Sequence, residues 1–202
     1  MRTLVISLLL AGLVFAPAAS AAERCNARGA KTVLQNSQAR LFSVKGKGEV
    51  KRRFYGCMRG RKPRLLATNF SPRDAEQTAF FNKSFRLGGP YVAWVQEAFS
   101  DFGVGEFGRS IEVRSLGPAR PTVSQDVSDY DSVSALSVRN DGAVGWILAT
   151  GGPYNEVDAV ESAAKLPTAL AYARGIAPGD LRVDATSVHW TQDGADRSAE
   201  VR

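Results

Sequence analysis

The sequence holds very few of the side chains from which metal centres and nucleophilic catalytic sites are built. Its 202 residues include two cysteines and one histidine, His189. These numbers exclude a cysteine–histidine zinc cluster, a centre with several histidine ligands and a small disulfide-dense scaffold. A serine hydrolase is not indicated, because no Gly-x-Ser-x-Gly motif accompanies the one imidazole that could act as its base. His189 adjoins Trp190 on a predicted strand, so we expect it to face away from the core.

Long apolar runs are also missing, apart from one at the N-terminus. Residues 4–15 are almost continuously apolar, and an Ala-x-Ala cleavage motif follows at residues 19–21. This order is typical of a secretory signal peptide, and about 12 apolar residues are too few for a membrane anchor, which needs ~20. We therefore expect residues 1–21 to be a signal peptide. Residues 22–202 are expected to form one secreted or otherwise extracytoplasmic domain without a transmembrane segment.

The two cysteines are predicted to form a disulfide. In an oxidising compartment a pair of thiols is more often bonded than reactive or metal-bound. A bond between Cys25 and Cys57 would close a loop of about 33 residues and contribute about 3.7 kcal/mol in the chain-entropy model. It would tie the N-terminal segment to a strand.

Short alternating runs separated by Gly, Asp, Asn and Pro predict an all-β fold. Residues 91–95 and 111–114 alternate clearly, and Asn140-Asp141-Gly142 predicts a hairpin turn between two apolar runs. The best helical candidate is residues 159–173, although Pro167 interrupts it. We expect at most one short helical turn there.

A repeat of about 50 residues is visible in the large aromatic residues. Four segments each place one of them at the same position of a central predicted strand, with a further strand before and after it. These residues are Phe42, Trp94, Trp146 and Trp190. We expect all four to pack in the core rather than to form a ligand cage.

Four units of three to four antiparallel strands resemble the blades of a β-propeller. With 19 Arg to 7 Lys and the predicted signal, the chain resembles exported β-repeat proteins of GC-rich bacteria. The resemblance implies an architecture, but neither an activity nor site residues. The chain lacks the Trp-Asp and paired-glycine signatures of known blades, and its last unit stops after three strands. A β-sandwich or barrel is the alternative.

Charge is distributed very unevenly. Residues 22–88 carry 16 Lys and Arg against 4 Asp and Glu, whereas residues 89–202 carry 9 against 16. The cations cluster on either side of Cys57, where we expect a hairpin loop and the next turn. The clusters are Lys45, Lys47, Lys51, Arg52 and Arg53, then Arg59, Arg61, Lys62 and Arg64.

Such clusters attract polyanions by counterion release. For an exported protein the available polyanions are wall polymers, acidic glycans and anionic lipid headgroups, rather than nucleic acid. Two simpler explanations remain, solubility and attraction between units of opposite charge.

No metal or cofactor is predicted. Gly103–Gly108 matches Gly-x-Gly-x-x-Gly but leads into a predicted strand rather than the helix of a dinucleotide site. Asp126, Asp129 and Asp131 lack the glycine and final glutamate of an EF-hand loop, which favours a solvated turn over a calcium site.

The first hypothesis is therefore a non-catalytic exported domain that presents its loops to an envelope polymer or a protein partner. The alternative is an extracytoplasmic hydrolase that uses loop carboxylates. The sixteen acids of residues 89–202 leave that alternative open, but no spacing singles out a pair.

Overall fold

A computed structural model of the chain describes residue 25 and residues 27–73, 78–100, 106–117, 123–127, 131–161 and 165–201. This part folds into fifteen antiparallel strands and contains no α-helix, which confirms the predicted all-β class. The predicted signal peptide lies outside the described residues. Within the described part, no helix has the length and hydropathy needed to cross a bilayer.

The strands follow one another as meanders in three sheets. They are β1 (Lys31–Gln35), β2 (Ala39–Lys45), β3 (Val50–Met58), β4 (Arg64–Phe70), β5 (Ala79–Gly88), β6 (Tyr91–Ser100), β7 (Glu106–Ser115), β8 (Val123–Val127), β9 (Ser132–Val138), β10 (Val144–Ala149), β11 (Tyr154–Val160), β12 (Thr168–Arg174), β13 (Arg182–Val183), β14 (Ser187–Gln192) and β15 (Ala195–Glu200). Strands β1–β8 form the first sheet, β9–β12 the second and β13–β15 the third. Over the described residues, none of the three sheets closes on itself.

The eight-stranded sheet consists of two four-stranded halves. Strands β4 and β5 pair only through Phe70 and Phe80, whereas β5 and β6 pair along most of their length. The chain therefore divides into four successive meanders, β1–β4, β5–β8, β9–β12 and β13–β15, which we call units one to four.

The four aromatics of the repeat lie on the second strand of each unit, and all four are buried. Trp94 packs in a core between units one and two, Trp146 between units two and three, and Trp190 between units three and four. Each tryptophan thus faces the unit that precedes it. Phe42 lies with the two cysteines on the other face of unit one. Such face-to-face packing is also what a β-sandwich shows.

The predicted disulfide is confirmed, and it links the N-terminal segment to β3. Cys25 and Cys57 are bonded with their Cα atoms 5.8 Å apart. Both are buried beside Phe42, whose ring stacks on Tyr55 at 5.5 Å between centroids. The disulfide therefore completes a small core on the outer face of unit one.

The Asn140-Asp141-Gly142 turn is also confirmed and joins β9 to β10. The Ala143 carbonyl accepts a hydrogen bond from the Arg139 N–H (2.8 Å). Gly142 has φ +100°, and a Cβ there would lie 2.7 Å from the Tyr91 ring. Glycine is thus required both by the backbone and by the close approach of unit two.

The helical candidate of residues 159–173 forms strands in most of the part that the structure describes, while residues 162–164, in its alanine-rich start, lie outside the described residues. Residues 159–160 end β11 and residues 168–173 belong to β12, whose partner strand is β11. Pro167 prevents a continuous helix, and pairing with β11 satisfies the backbone in spite of the helical propensity of alanine.

Connections between strands alternate between two ends of the sheets. We call the end with the β3–β4 turn the lower end and the end with the β2–β3 turn the upper end. At the lower end the Arg59 N–H donates to the Gln38 carbonyl (2.9 Å), and the Leu116 N–H donates to the Pro90 carbonyl (2.8 Å). Two further bonds cross between the units: Asn36 Nδ2 donates to the Gly89 carbonyl (2.9 Å) and Arg64 Nη1 donates to the Gly117 carbonyl (3.0 Å). The lower turns of units one and two are therefore held together.

Candidate functional site

The upper basic group consists of Lys45, Lys47, Lys51, Arg52 and Arg53. Only Lys47 lies in the turn; the other four lie in β2 and β3. The expected loop is short because of two glycines. A Cβ on Gly46 would lie 2.1 Å from the Val50 carbonyl oxygen, and Gly48 has φ +61°. The tight turn extends the strands and places Lys45 opposite Arg52.

The lower basic group consists of Arg59, Arg61, Lys62 and Arg64. All four side chains are exposed. Arg61, Lys62 and Arg64 line a cleft of about 430 Å³ together with Leu116 and Gly117. Arg64 Nη1 donates to the Gly117 carbonyl at 3.0 Å, which fixes the guanidinium at the cleft wall.

The two basic groups do not form one patch. They lie at opposite ends of β3, a strand of nine residues, and are therefore separated by roughly 25 Å. A ligand would have to be long to contact both.

Neither basic group is neutralised by a carboxylate within the described part of the chain. The ion pairs there involve other residues: Lys83–Glu97, Arg109–Glu97, Arg139–Asp141, Lys165–Glu161 and His189–Asp184. Glu49, the acid of the β2–β3 turn, accepts the backbone N–H of Arg73 (3.4 Å). The positive charges are therefore available to a ligand.

A second cleft of about 330 Å³ adjoins the lower basic cleft. Both are lined by Gly117. The other lining side chains of the second cleft are polar or moderately apolar: Gln38, Met58, Pro90, Tyr91, Ser115 and Asn140. Sequence reasoning missed this cleft because its lining comes from five separate segments of the chain.

Exposed phenylalanines at the upper end were also missed. Phe80, Phe81 and Phe99 are 36–44% exposed. Beside them, Glu97 Oε1 forms ion pairs with Lys83 Nζ (2.7 Å) and Arg109 Nη2 (2.9 Å). Burial alone would raise the pKa of Glu97, but these two cations outweigh it and lower the pKa.

Asp158 on β11 is a buried carboxyl with a strongly raised pKa. Asp158 is 7% exposed and lies opposite Trp146. Burial raises the pKa of Asp158 to about 7, and the neighbouring Glu156 adds to this rise. The nearby indole N–H of Trp146 acts in the opposite direction and lowers the pKa of Asp158, although this buried N–H makes no hydrogen bond of normal geometry.

Two tyrosines continue the same face of this sheet. The rings of Tyr154 and Tyr172 stack at 5.3 Å, and the Arg174 guanidinium lies 5.1 Å from the Tyr154 centroid. The alternation Tyr154-x-Glu156-x-Asp158 could have indicated a shared face. The cross-strand neighbours on β12 could not have been found without the register.

His189 contacts Asp184 and not a nucleophile. Its Nε2 lies 2.5 Å from Asp184 Oδ2. The Thr186 backbone N–H and the His189 hydrogen bond lower the pKa of Asp184. No serine, threonine or cysteine side chain hydrogen-bonds to His189 among the described residues, so the pair lacks the arrangement of an activated nucleophile.

The structure describes the acidic cluster of residues 126–131 only in part. Asp126 lies on β8 and Asp131 precedes β9, while Asp129 is outside the described residues. Over the described ranges, no group of three possible ligands could hold a metal ion. Gly108 lies within β7, and residues 103–105 are again outside the described part.

In comparisons with known proteins, no family model, no curated protein and no solved structure matches this chain.

Proposed function

We propose that the protein is a non-catalytic exported domain that binds an anionic polymer of the cell envelope through its two basic groups. The observation that carries this proposal is that the described structure gives these nine cations no acidic partner. A buried disulfide fits an oxidising, extracytoplasmic location. A protein partner with an acidic surface is the other ligand that this charge would suit.

Blade-like organisation of the four units is part of the proposal. The first strands of successive units lie side by side, since β5 contacts both β1 and β9, and β9 also contacts β13. Together with the equivalent aromatics, this supports units arranged like propeller blades around their first strands. In that arrangement the lower turns share one face, where they can present a continuous binding surface.

The experiment compares two sets of neutralised cations for binding to polyphosphate and to a sulfated polysaccharide. The upper variant replaces Lys45, Lys47, Lys51 and Arg52 by Gln, and the lower variant replaces Arg59, Arg61, Lys62 and Arg64. We expect each to weaken binding at low salt by at least tenfold, because counterion release scales with the cations engaged.

The control removes the same charge elsewhere. It replaces four exposed cations that lie outside both groups: Arg28, Lys31, Arg182 and Arg197. Equal loss of binding in the control and in both test variants would show a response to net charge alone and would contradict the proposal.

Hydrolysis is a second candidate function, favoured by the position of Glu156 and Asp158 on the same face of β11 and by the raised pKa of Asp158. A carboxyl that keeps its proton near neutral pH can protonate a leaving group. The test assays the release of reducing ends from neutral and acidic glycans by the wild type and by Asp158→Asn. Activity that the substitution abolishes would support hydrolysis; an inactive wild type, or an unaffected variant, would exclude it.

A further inference from the structure

The two clefts of the lower end meet at Gly117 and differ in their lining. One side is cationic, with Arg61, Lys62 and Arg64. The other side offers the amides of Gln38 and Asn140 and the hydroxyl of Ser115. We call the two clefts together the groove. It carries charge at one side and neutral hydrogen-bonding groups at the other, which distinguishes it from the upper basic group.

From this lining we infer that the groove holds an acidic oligosaccharide, with its carboxylate at the cations and its hydroxyls at the amides. The inference rests on the proposed function, because it shares the lower basic group, and it adds the chemical class of the ligand. A polyphosphate would use the cations but has no hydroxyls for the amides. A saccharide uses both sides.

The amides are free to take part. Neither the Gln38 nor the Asn140 side chain makes a hydrogen bond that the structure describes, and both residues are exposed. An amide both donates and accepts, as a sugar hydroxyl does, so the two groups are matched. Ser115 Oγ accepts the Gly117 N–H at 3.2 Å and keeps its own proton for donation.

Apolar surface between the polar groups suits the C–H faces of a sugar ring. Met58 and Pro90 are half-buried and line the second cleft. Leu116, which is fully buried, also lines the first cleft. The two volumes, about 430 and 330 Å³, lie in the range of small-ligand pockets.

The walls of the groove are held in place before any ligand binds. The Arg61 N–H donates to the Met58 carbonyl (3.0 Å), and the Arg59 N–H ties the β3–β4 turn to Gln38 (2.9 Å). Arg64 is fixed on Gly117 (3.0 Å). Preorganised groups lose less conformational entropy on binding.

Gly117 controls the junction of the two clefts. A Cβ there would lie 3.3 Å from Met58 Sδ and 3.4 Å from Ser115 Oγ, and its backbone is not in the left-handed region. The substitution Gly117→Leu should therefore fill the groove without changing its charge. Gly108→Leu is the matched control, since Gly108 lies on the upper part of β7 with open space around it.

The experiment measures binding of a short oligogalacturonate and of a polyphosphate to the wild type, Gly117→Leu, Gly108→Leu and the double variant Gln38→Ala/Asn140→Ala. We expect Gly117→Leu and the double variant to weaken oligogalacturonate binding by at least tenfold. Polyphosphate binding should change less than twofold, and Gly108→Leu should bind both probes normally. Melting curves check that each variant is folded.

Two results would overturn the inference and differ in what they mean for the proposed function. If both probes bind, and neither Gly117→Leu nor the double variant weakens oligogalacturonate, the groove is not the saccharide site, while the proposed polyanion binding survives. If neither probe binds the wild type, both proposals fail. If Gly117→Leu loses oligogalacturonate binding but its melting curve shows that it is unfolded, the result for the double variant decides the inference.

Discussion

Reduction of the Cys25–Cys57 disulfide should lower the melting temperature of a chain of residues 22–202 by about 10 °C, without loss of its far-UV β spectrum. The bond closes a loop of about 33 residues, which corresponds to about 3.7 kcal/mol. Each kcal/mol moves the melting temperature of a domain of this size by about 2–4 °C. The sheet itself is retained because β2 and β3 pair along seven positions independently of the bond.

The double variant Cys25→Ser/Cys57→Ser is the control for this experiment. It should melt at the lower temperature with and without reductant. A melting temperature that reductant does not change in the wild type, or free thiols in the purified wild type, would refute the structural role of the bond.

Replacement of Asp158 by Asn should stabilise the protein at pH 8 and leave its stability at pH 4 nearly unchanged. The pKa of Asp158 is about 7 in the folded chain against an ordinary value of 3.8. The folded chain therefore keeps a proton that the unfolded chain loses, so the free energy of unfolding falls as the pH rises between these values. At about 1.4 kcal/mol per pKa unit, the gain at pH 8 amounts to roughly 4 kcal/mol.

Urea unfolding of the wild type and Asp158→Asn from pH 4 to pH 8 measures this effect. Glu156→Gln should shift the pH dependence of the wild type to lower pH, because Glu156 helps to raise the pKa of Asp158. Asp196→Asn, on an exposed residue, is the control and should leave the slope as it is. If the free energy of unfolding of Asp158→Asn still falls between pH 4 and pH 8, another titratable group causes the pH dependence.

Features set by short stretches of sequence could be predicted from it. Alternation places strands correctly at residues 91–95 and 111–114, and the turn at Asn140–Gly142 follows from its own residues. The disulfide needs only two cysteines and an oxidising compartment. The strands and the turn depend on local conformation, and the disulfide follows because the chain has only two cysteines. None of them depends on the packing of distant strands.

Features that depend on strand direction and register could not be predicted. The cations of residues 45–64 are close in sequence, but β3 carries its two ends apart and separates them into two groups. Asp158 and Tyr172 lie on the same face of the second sheet only because their strands, β11 and β12, pair with each other. The groove at Gly117 combines turns from units one, two and three, which no sequence window contains.

Binding of the wild-type chain of residues 22–202 to a sulfated polysaccharide, measured at 50 and 200 mM salt, tests the central claim most directly. With about four cations engaged, the affinity should fall by roughly 100-fold between these concentrations. Binding that is absent at both concentrations, or that does not change between them, would contradict an electrostatic binding domain.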